Sequence, residues 1–222
     1  QEKINFENIR LQKNRNTMFN SDFTLSQAMY ECRAMRRLKA DPVSDEVLID
    51  LVDAANQAAS GSNAQMARWI VVKDPAQKRK LADLNRLHGE PYIAADRENP
   101  RDDKQRRLLD AVIWQMDHMH EIPALIVACY DYEIRVDGPE IYRKAGSVWP
   151  GIQNLLLTAR AMGLGATPTT LALRDQDMVR DALGLPESFA ALCLLPVGYP
   201  MGRFGPVTRK PVETIMRFDR WS

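Results

Sequence analysis

The hydrophobic positions along the chain follow two rhythms. Spacings of three and four recur over several long stretches, and short unbroken apolar runs lie between them. The first rhythm predicts helices with one buried stripe; the second predicts strands covered on both faces. From Thr24, "TLSQAMYECRAMRRL" puts Leu25, Ala28, Met29 and Cys32 on one helical face, with Thr24 or Ser26 as cap. Ala40-Asp41-Pro42 breaks the chain, and Ser44 opens a second helix with the stripe Val47, Leu48, Leu51, Val52 and Ala55. "ASGSNAQ" is a loop of small polar residues, and "ARWIVVKD" reads as a strand stopped at Asp74-Pro75. "PAQKRKLADLNRL" predicts a charged surface helix. The chain is then dense in charge from Asp96 to Arg107, which predicts a segment mobile at its start. "LLDAVIWQMDHM" follows, with Leu108, Leu109, Val112, Ile113, Met116 and Met119 on one face. "IPALIVACYD" and "AALCLLPVGYP" are buried strands by pattern. Between them, "SVWPGIQNLLLTARAMGLG" predicts a long buried helix closed by Gly163 and Gly165, and "RDQDMVRDALGLP" a short one with its own glycine stop. The tail "RKPVETIMRFDRW" reads as partly extended and partly helical.

No repeat and no linker-like composition interrupts this order. One α+β domain is expected over residues 25–222, preceded by a polar, Asn-rich arm over residues 1–24. Composition narrows the function classes. The 222 residues are 45% hydrophobic and 27% charged, with a net charge of +1. A balance so close to neutral predicts no nucleic-acid partner and no membrane association, so any anion site must be local. The stretch "QEKINFENIRLQKNRN" lacks the apolar segment of a signal peptide. Cys32, Cys129 and Cys193 are odd in number and far apart, which argues against a disulfide framework or a zinc site and for a reducing cytoplasm. His118 and His120, two apart on a predicted helix, point to different faces, and no metal site is expected. Neither a nucleophile elbow nor a Ser-His-Asp set is present. The glycines of "GLGATP" end a helix, whereas a dinucleotide-binding loop follows a strand and opens one. A chain with so little acid–base chemistry of its own points to a cofactor that carries the reaction.

The arginines say what kind. Arg33, Arg36, Arg37 and Lys39 crowd one junction, and Arg203, Arg209 and Lys210 recur near the end on a Gly-Pro scaffold. Alone, either cluster is a solvated basic face. With the amide-rich "ASGSNAQ" loop between them, they suit a phosphorylated planar heterocycle.

Four stretches in order carry a family likeness. "CRAMRRLKADPV" resembles the Arg-Arg-Ser-x-Arg opening of the nitroreductase family, and "AASGSNAQMARWIVV" its Pro-Ser-x-x-Asn-x-Gln-Pro-Trp segment. "IQNLLLTARAMGLGATPTT" is similar to its buried helix and Gly-Leu-Gly turn, and "LLPVGYP…RKPVETI" to its last core strand and phosphate-binding tail. The resemblance spans roughly residues 25–221. It implies an α+β sandwich, a central antiparallel sheet flanked by helices, in an intertwined homodimer with FMN at the interface. It also implies NADH or NADPH as co-substrate, ping-pong hydride transfer through flavin N5, and an electron-poor small-molecule acceptor such as a nitroaromatic or quinone. Carried over residue by residue, Arg33, Ala34 and Arg36 approach the phosphate or the pyrimidine edge. Ser60, Gly61, Asn63 and Gln65 come from the partner subunit, Thr169, Thr170 and Leu171 line the flavin, and Arg209 pairs with the phosphate. The flavin itself carries the chemistry, so no catalytic side chain is implied.

The chain departs from the motifs at four places: Cys32 replaces the first Arg, Ala34 the Ser, Ala59 the Pro, and Met66-Ala67 the Pro-Trp. Arg37 and Arg203 are candidates to compensate. Residues 96–121 suit a substrate lid in which Trp114 and Met116 select the acceptor; the same apolar face also suits plain core cover. Other activities stay open: an FMN-dependent dehydrogenase, ene-reductase or dehalogenase, or a flavin-binding module without turnover.

Overall fold

The computed structural model describes residues 23–221, so the expected arm, apart from Phe23 and Thr24, lies outside the described residues. Four strands form one sheet in the order β1-β2-β4-β3: β1 (Ala67–Val72), β2 (Ala124–Asp131), β3 (Gly165–Ala166) and β4 (Phe189–Gly198). All neighbours are antiparallel. The central strands are apolar at nearly every position, so both faces of the sheet must be covered. Along β2, Ala124, Ile126, Ala128 and Tyr130 enter one core while Leu125, Val127 and Cys129 enter the other. Opposite the step from Ala128 to Cys129, β4 carries an extra residue, Leu192, between Ala191 and Cys193. The alternation of β4 changes phase there: Ala190 and Leu192, then Cys193, Leu195 and Val197, share one face.

Helices α2 (Asp45–Asn56) and α6 (Trp149–Ala161) cover the first face. Helices α3 (Pro75–Glu98) and α7 (Gln176–Leu183) cover the second. The short helices α1 (Leu25–Glu31) and α5 (Glu140–Lys144) and the longer α4 (Asp103–His118) are the other α-helices among the described residues. The result is an α+β sandwich. Side-chain caps start several helices: Ser44 Oγ accepts from the Val47 N–H at 3.4 Å, Asp74 from Gln77 at 2.9 Å, and Asp102 from Gln105 at 2.7 Å.

Two stretches differ from the pattern-based expectation. The first helix ends at Glu31, although its apolar spacing runs on. Residues 32–39 are instead drawn across the end of the sheet. The Met35 N–H donates to Ala166 O at 3.1 Å, the Lys39 N–H to Tyr199 O at 2.8 Å, and the Met201 N–H to Arg37 O at 3.0 Å. Met35 and Leu38 are buried beneath this crossing. Gly165 makes the approach feasible, because a Cβ there would sit 2.7 Å from Leu38 Cδ2 and 2.8 Å from Met35 Cβ. The charge-dense segment from Asp96 is also not a loop. Helix α3 runs through Pro91 to Glu98, and α4 starts after a short turn. Together α3 and α4 form a hairpin with its own small core of Ile93, Leu109 and Met116.

Candidate functional site

A cavity of about 640 Å³ opens between the α3–α4 hairpin, the segment that follows β3, and the first turn of α6. Small-molecule sites commonly enclose roughly 300–1,000 Å³, so the volume suits a cofactor-sized ligand. The sequence-predicted Arg36, Met116, Thr169, Thr170 and Leu171 all line it. Arg36 arrives on the crossing segment, Met116 on the hairpin, and residues 169–171 from the chain after β3. Thr169 is fixed to β4 by paired bonds, its N–H to Leu194 O and the Leu194 N–H to its own carbonyl, both at 2.9 Å. The Arg36 side chain is half-buried, has no carboxylate partner among the described residues, and its guanidinium pKa is pulled down by burial.

The floor of the cavity holds three residues that the sequence pattern did not single out. Asn85 is 2% exposed, Gln115 5% and Thr167 1%. Their Oδ1, Nε2 and Oγ1 atoms are buried without a hydrogen-bond partner among the described residues, and all three residues line the cavity. An unmet buried polar atom costs about 1–3 kcal/mol, so three together mark a place where a bound molecule or water completes the bonding. One offers an acceptor, one a donor and one both. A planar heterocycle with a polar edge fits between them and the apolar walls of Ile93, Leu109 and Met116, with Arg36 to face negative charge. The residues present therefore fit FMN. A signal for two of the three is visible in hindsight: Asn85 sits at helical spacing from Leu81, and Gln115 directly precedes Met116, polar groups where a core helix wants carbon.

Other predicted residues lie elsewhere. Trp114 does not line the cavity. It stacks on His118 with ring centroids 4.4 Å apart, because two residues along a helix from Met116 is nearly the opposite face. His118 in turn bonds Glu121 at 2.9 Å and holds that carboxyl below its usual range. Arg33 and Ala34 are exposed on the crossing segment. Ser60, Gly61, Asn63 and Gln65 form a separate turn docked on the residues before α6, where the Gly61 N–H donates to Ser147 Oγ at 3.1 Å. Ser62, Asn63 and Gln65 hold positive φ of 53°, 53° and 54°. Such conformations cost about 1–3 kcal/mol each and concentrate where a loop has a task. Arg209 is exposed; it and Arg160 oppose the upward push of burial on the Cys32 thiol, so both guanidiniums lie near that thiol. Arg160 pairs with Glu31 and stacks between Phe23 and Phe204, 4.5 and 4.1 Å from their centroids. Among the described residues no group of three His, Cys, Asp or Glu side chains is arranged to hold a metal, and no helix is long and apolar enough to cross a membrane.

Comparison with known proteins adds to this geometry. The sequence profile described as "Nitroreductase family" matches residues 31–199. An NADH dehydrogenase of Thermus thermophilus is 31% identical over 202 residues, covering 83% of this chain and 90% of the relative. An iodotyrosine deiodinase of Nematostella vectensis is 26% identical over 194 residues, 86% of this chain and 73% of the relative. Among solved structures, an oxidized iodotyrosine deiodinase bound to FMN and 3-iodo-L-tyrosine superposes with a TM-score of 0.71 at 26% identity, covering 89% of this chain and all of the other.

Proposed function

The chain belongs to the nitroreductase family and is an FMN-dependent oxidoreductase drawing on NADH or NADPH, and we propose that its acceptors are electron-poor small molecules such as nitroaromatics or quinones. The observation that carries this reading is the apolar cavity floored by the unpartnered polar atoms of Asn85, Gln115 and Thr167, with Arg36 on its wall. When bound, FMN supplies a two-electron relay between reduced nicotinamide and acceptor. The protein's part is electrostatic and steric. Arg36, poorly solvated, favours negative charge on whatever faces it. Thr169, pinned to β4, would hold the adjoining cavity-lining backbone in place for the bound cofactor. Ile93, Leu109 and Met116 exclude water from one side. The buried lining residues include no carboxyl or imidazole, so the one proton that, with a hydride, converts a quinone to a hydroquinone would enter from solvent at the mouth.

The same reading extends to a homodimer in a reducing cytoplasm. The Ser60–Gln65 turn lines no part of this chain's cavity, and its constrained backbone suits completion of the partner's site. Arg33 and Arg209, both exposed, are assigned to the phosphate. A second reading has support from the two deiodinase similarities: reductive removal of halide from an aromatic ring, in which two electrons and a proton replace iodide by hydrogen.

The visible absorption spectrum of the purified protein, followed by anaerobic addition of NADH, tests the reading. A flavin band that bleaches supports an oxidoreductase. A band that persists leaves a flavin-binding module without turnover, and a protein that stays colourless with added FMN removes the site. Turnover with a nitroaromatic, set against iodide release from 3-iodotyrosine, separates the two enzymatic readings.

A further inference from the structure

The mouth of the cavity has a chemistry that a neutral nitroaromatic or quinone does not use. Arg101 and Arg174 both line it, joined by Tyr92 and Asp96. Counting Arg36 below, three guanidiniums face one carboxylate. Neither mouth arginine has an ion-pair partner among the described residues, although Asp102 and Asp103 follow Arg101 in the chain and Asp175 follows Arg174. Each is nevertheless held in place. The backbone N–H and Nε of Arg101 both donate to Gln105 Oε1, at 2.6 and 3.2 Å, and Gln105 is itself buried. With Nε engaged, the two Nη groups of Arg101 remain as a free fork. Arg174 lies over the Tyr92 ring, 5.4 Å from its centroid, so its planar face is occupied while its N–H edge stays open.

Guanidiniums pre-positioned by a buried amide and an aromatic face, and left without a carboxylate of the protein, are suited to bidentate capture of a carboxylate on a ligand. Building on the oxidoreductase reading above, we propose that this enzyme acts on aromatic acceptors carrying a carboxylate, which Arg101 and Arg174 bind at the mouth while the ring lies between the apolar walls.

The test uses the FMN-loaded enzyme. Bleaching by NADH is established first, so a failure of the oxidoreductase reading is seen separately. The specificity ratio, kcat/KM for 4-nitrobenzoate over that for nitrobenzene, is then measured for the wild type and for R101Q, R174Q and the double variant. Loss of a charge-assisted pair predicts a fall in this ratio of about tenfold or more in the double variant. Calorimetric titration with benzoate and benzamide gives a readout without turnover: the wild type should prefer benzoate, and the double variant should lose that preference. An unchanged ratio overturns the proposal, as does a rise in KM confined to NADH or NADPH, which would assign the arginines to the phosphates of the nucleotide.

Discussion

Arg36 is the side chain on which the proposed site places most weight. It is the member of the basic cluster that the fold turns inward, and burial without a carboxylate partner leaves its charge under-solvated. A group in that state gains more from an anion than an exposed arginine does. Arg33, two residues before Met35, faces solvent, so its contribution is screened. Replacement of Arg36 by Gln should weaken FMN binding by about 1.5–3 kcal/mol, roughly ten- to a hundred-fold in Kd, as expected for a lost charge-assisted bond. Fluorescence titration of the apoprotein with FMN checks this, and Arg36→Lys should recover part of the loss because charge returns without the planar fork. Unchanged FMN affinity in Arg36→Gln would remove Arg36 from the site. The buried cysteines are unsuited to the chemistry: desolvation pushes the Cys129 and Cys193 thiols up to about 12, so neither is a thiolate nucleophile near neutral pH.

The α3–α4 hairpin sets the shape of the cavity, and one glycine sets the spacing of the hairpin. A Cβ on Gly89 would come within 2.5 Å of Met116 Sδ and 3.6 Å of Leu171 Cδ1. Met116 lines the cavity, so its thioether has open space on that side and would move into it. Gly89→Ala should therefore fold with little change in Tm, since relief of a helical glycine, worth about 1 kcal/mol, offsets the repacking. Its KM for acceptor should rise several-fold, and Met116→Ala in the same chain should restore it; no KM change would show that Met116 does not bound the substrate space. None of this was legible in the sequence, where the expected surface helix was traced only through "PAQKRKLADLNRL". Helix α3 continues because Leu81, Leu84 and Ile93 find buried partners along its whole length, and packing outweighs Pro91. The core strands were legible, since an apolar run closed by turn residues has few other uses. The shortening of α1 was not. Nothing in "CRAMRRL" reveals that Met35 and Lys39 find acceptors at the sheet's end, a contact made by residues more than a hundred positions away. Asn85, Gln115 and Thr167 escaped for a related reason: a buried polar residue is conspicuous only once its lack of partners is seen.

At the scale of the whole molecule, the distribution of apolar surface argues for a second copy. Leu25, Met29 and Tyr30 are exposed on α1, beside a groove of about 420 Å³ between α1, α2 and α6. The C-terminal segment adds Val212, Ile215, Phe218 and Trp221, with Phe218 83% exposed. In the homodimer proposed above, both surfaces would be covered and the partner's Ser60–Gln65 turn would be brought towards the cavity. Binding at a site shared by two subunits couples the equilibria: FMN should tighten the dimer, and dilution to monomer should release FMN. Replacing Phe218 and Trp221 together by Ser removes two aromatic anchors worth about 1.5–3 kcal/mol each, so the dimer should weaken by at least about a hundred-fold. Sedimentation velocity at matched concentrations, read at the flavin band and at 280 nm, follows mass and occupancy in one experiment. Weakened association accompanied by lost flavin is the expected result. A monomer that sediments with its full complement of FMN would mean that one chain builds the site alone, and the exposed apolar surface would then need a different partner.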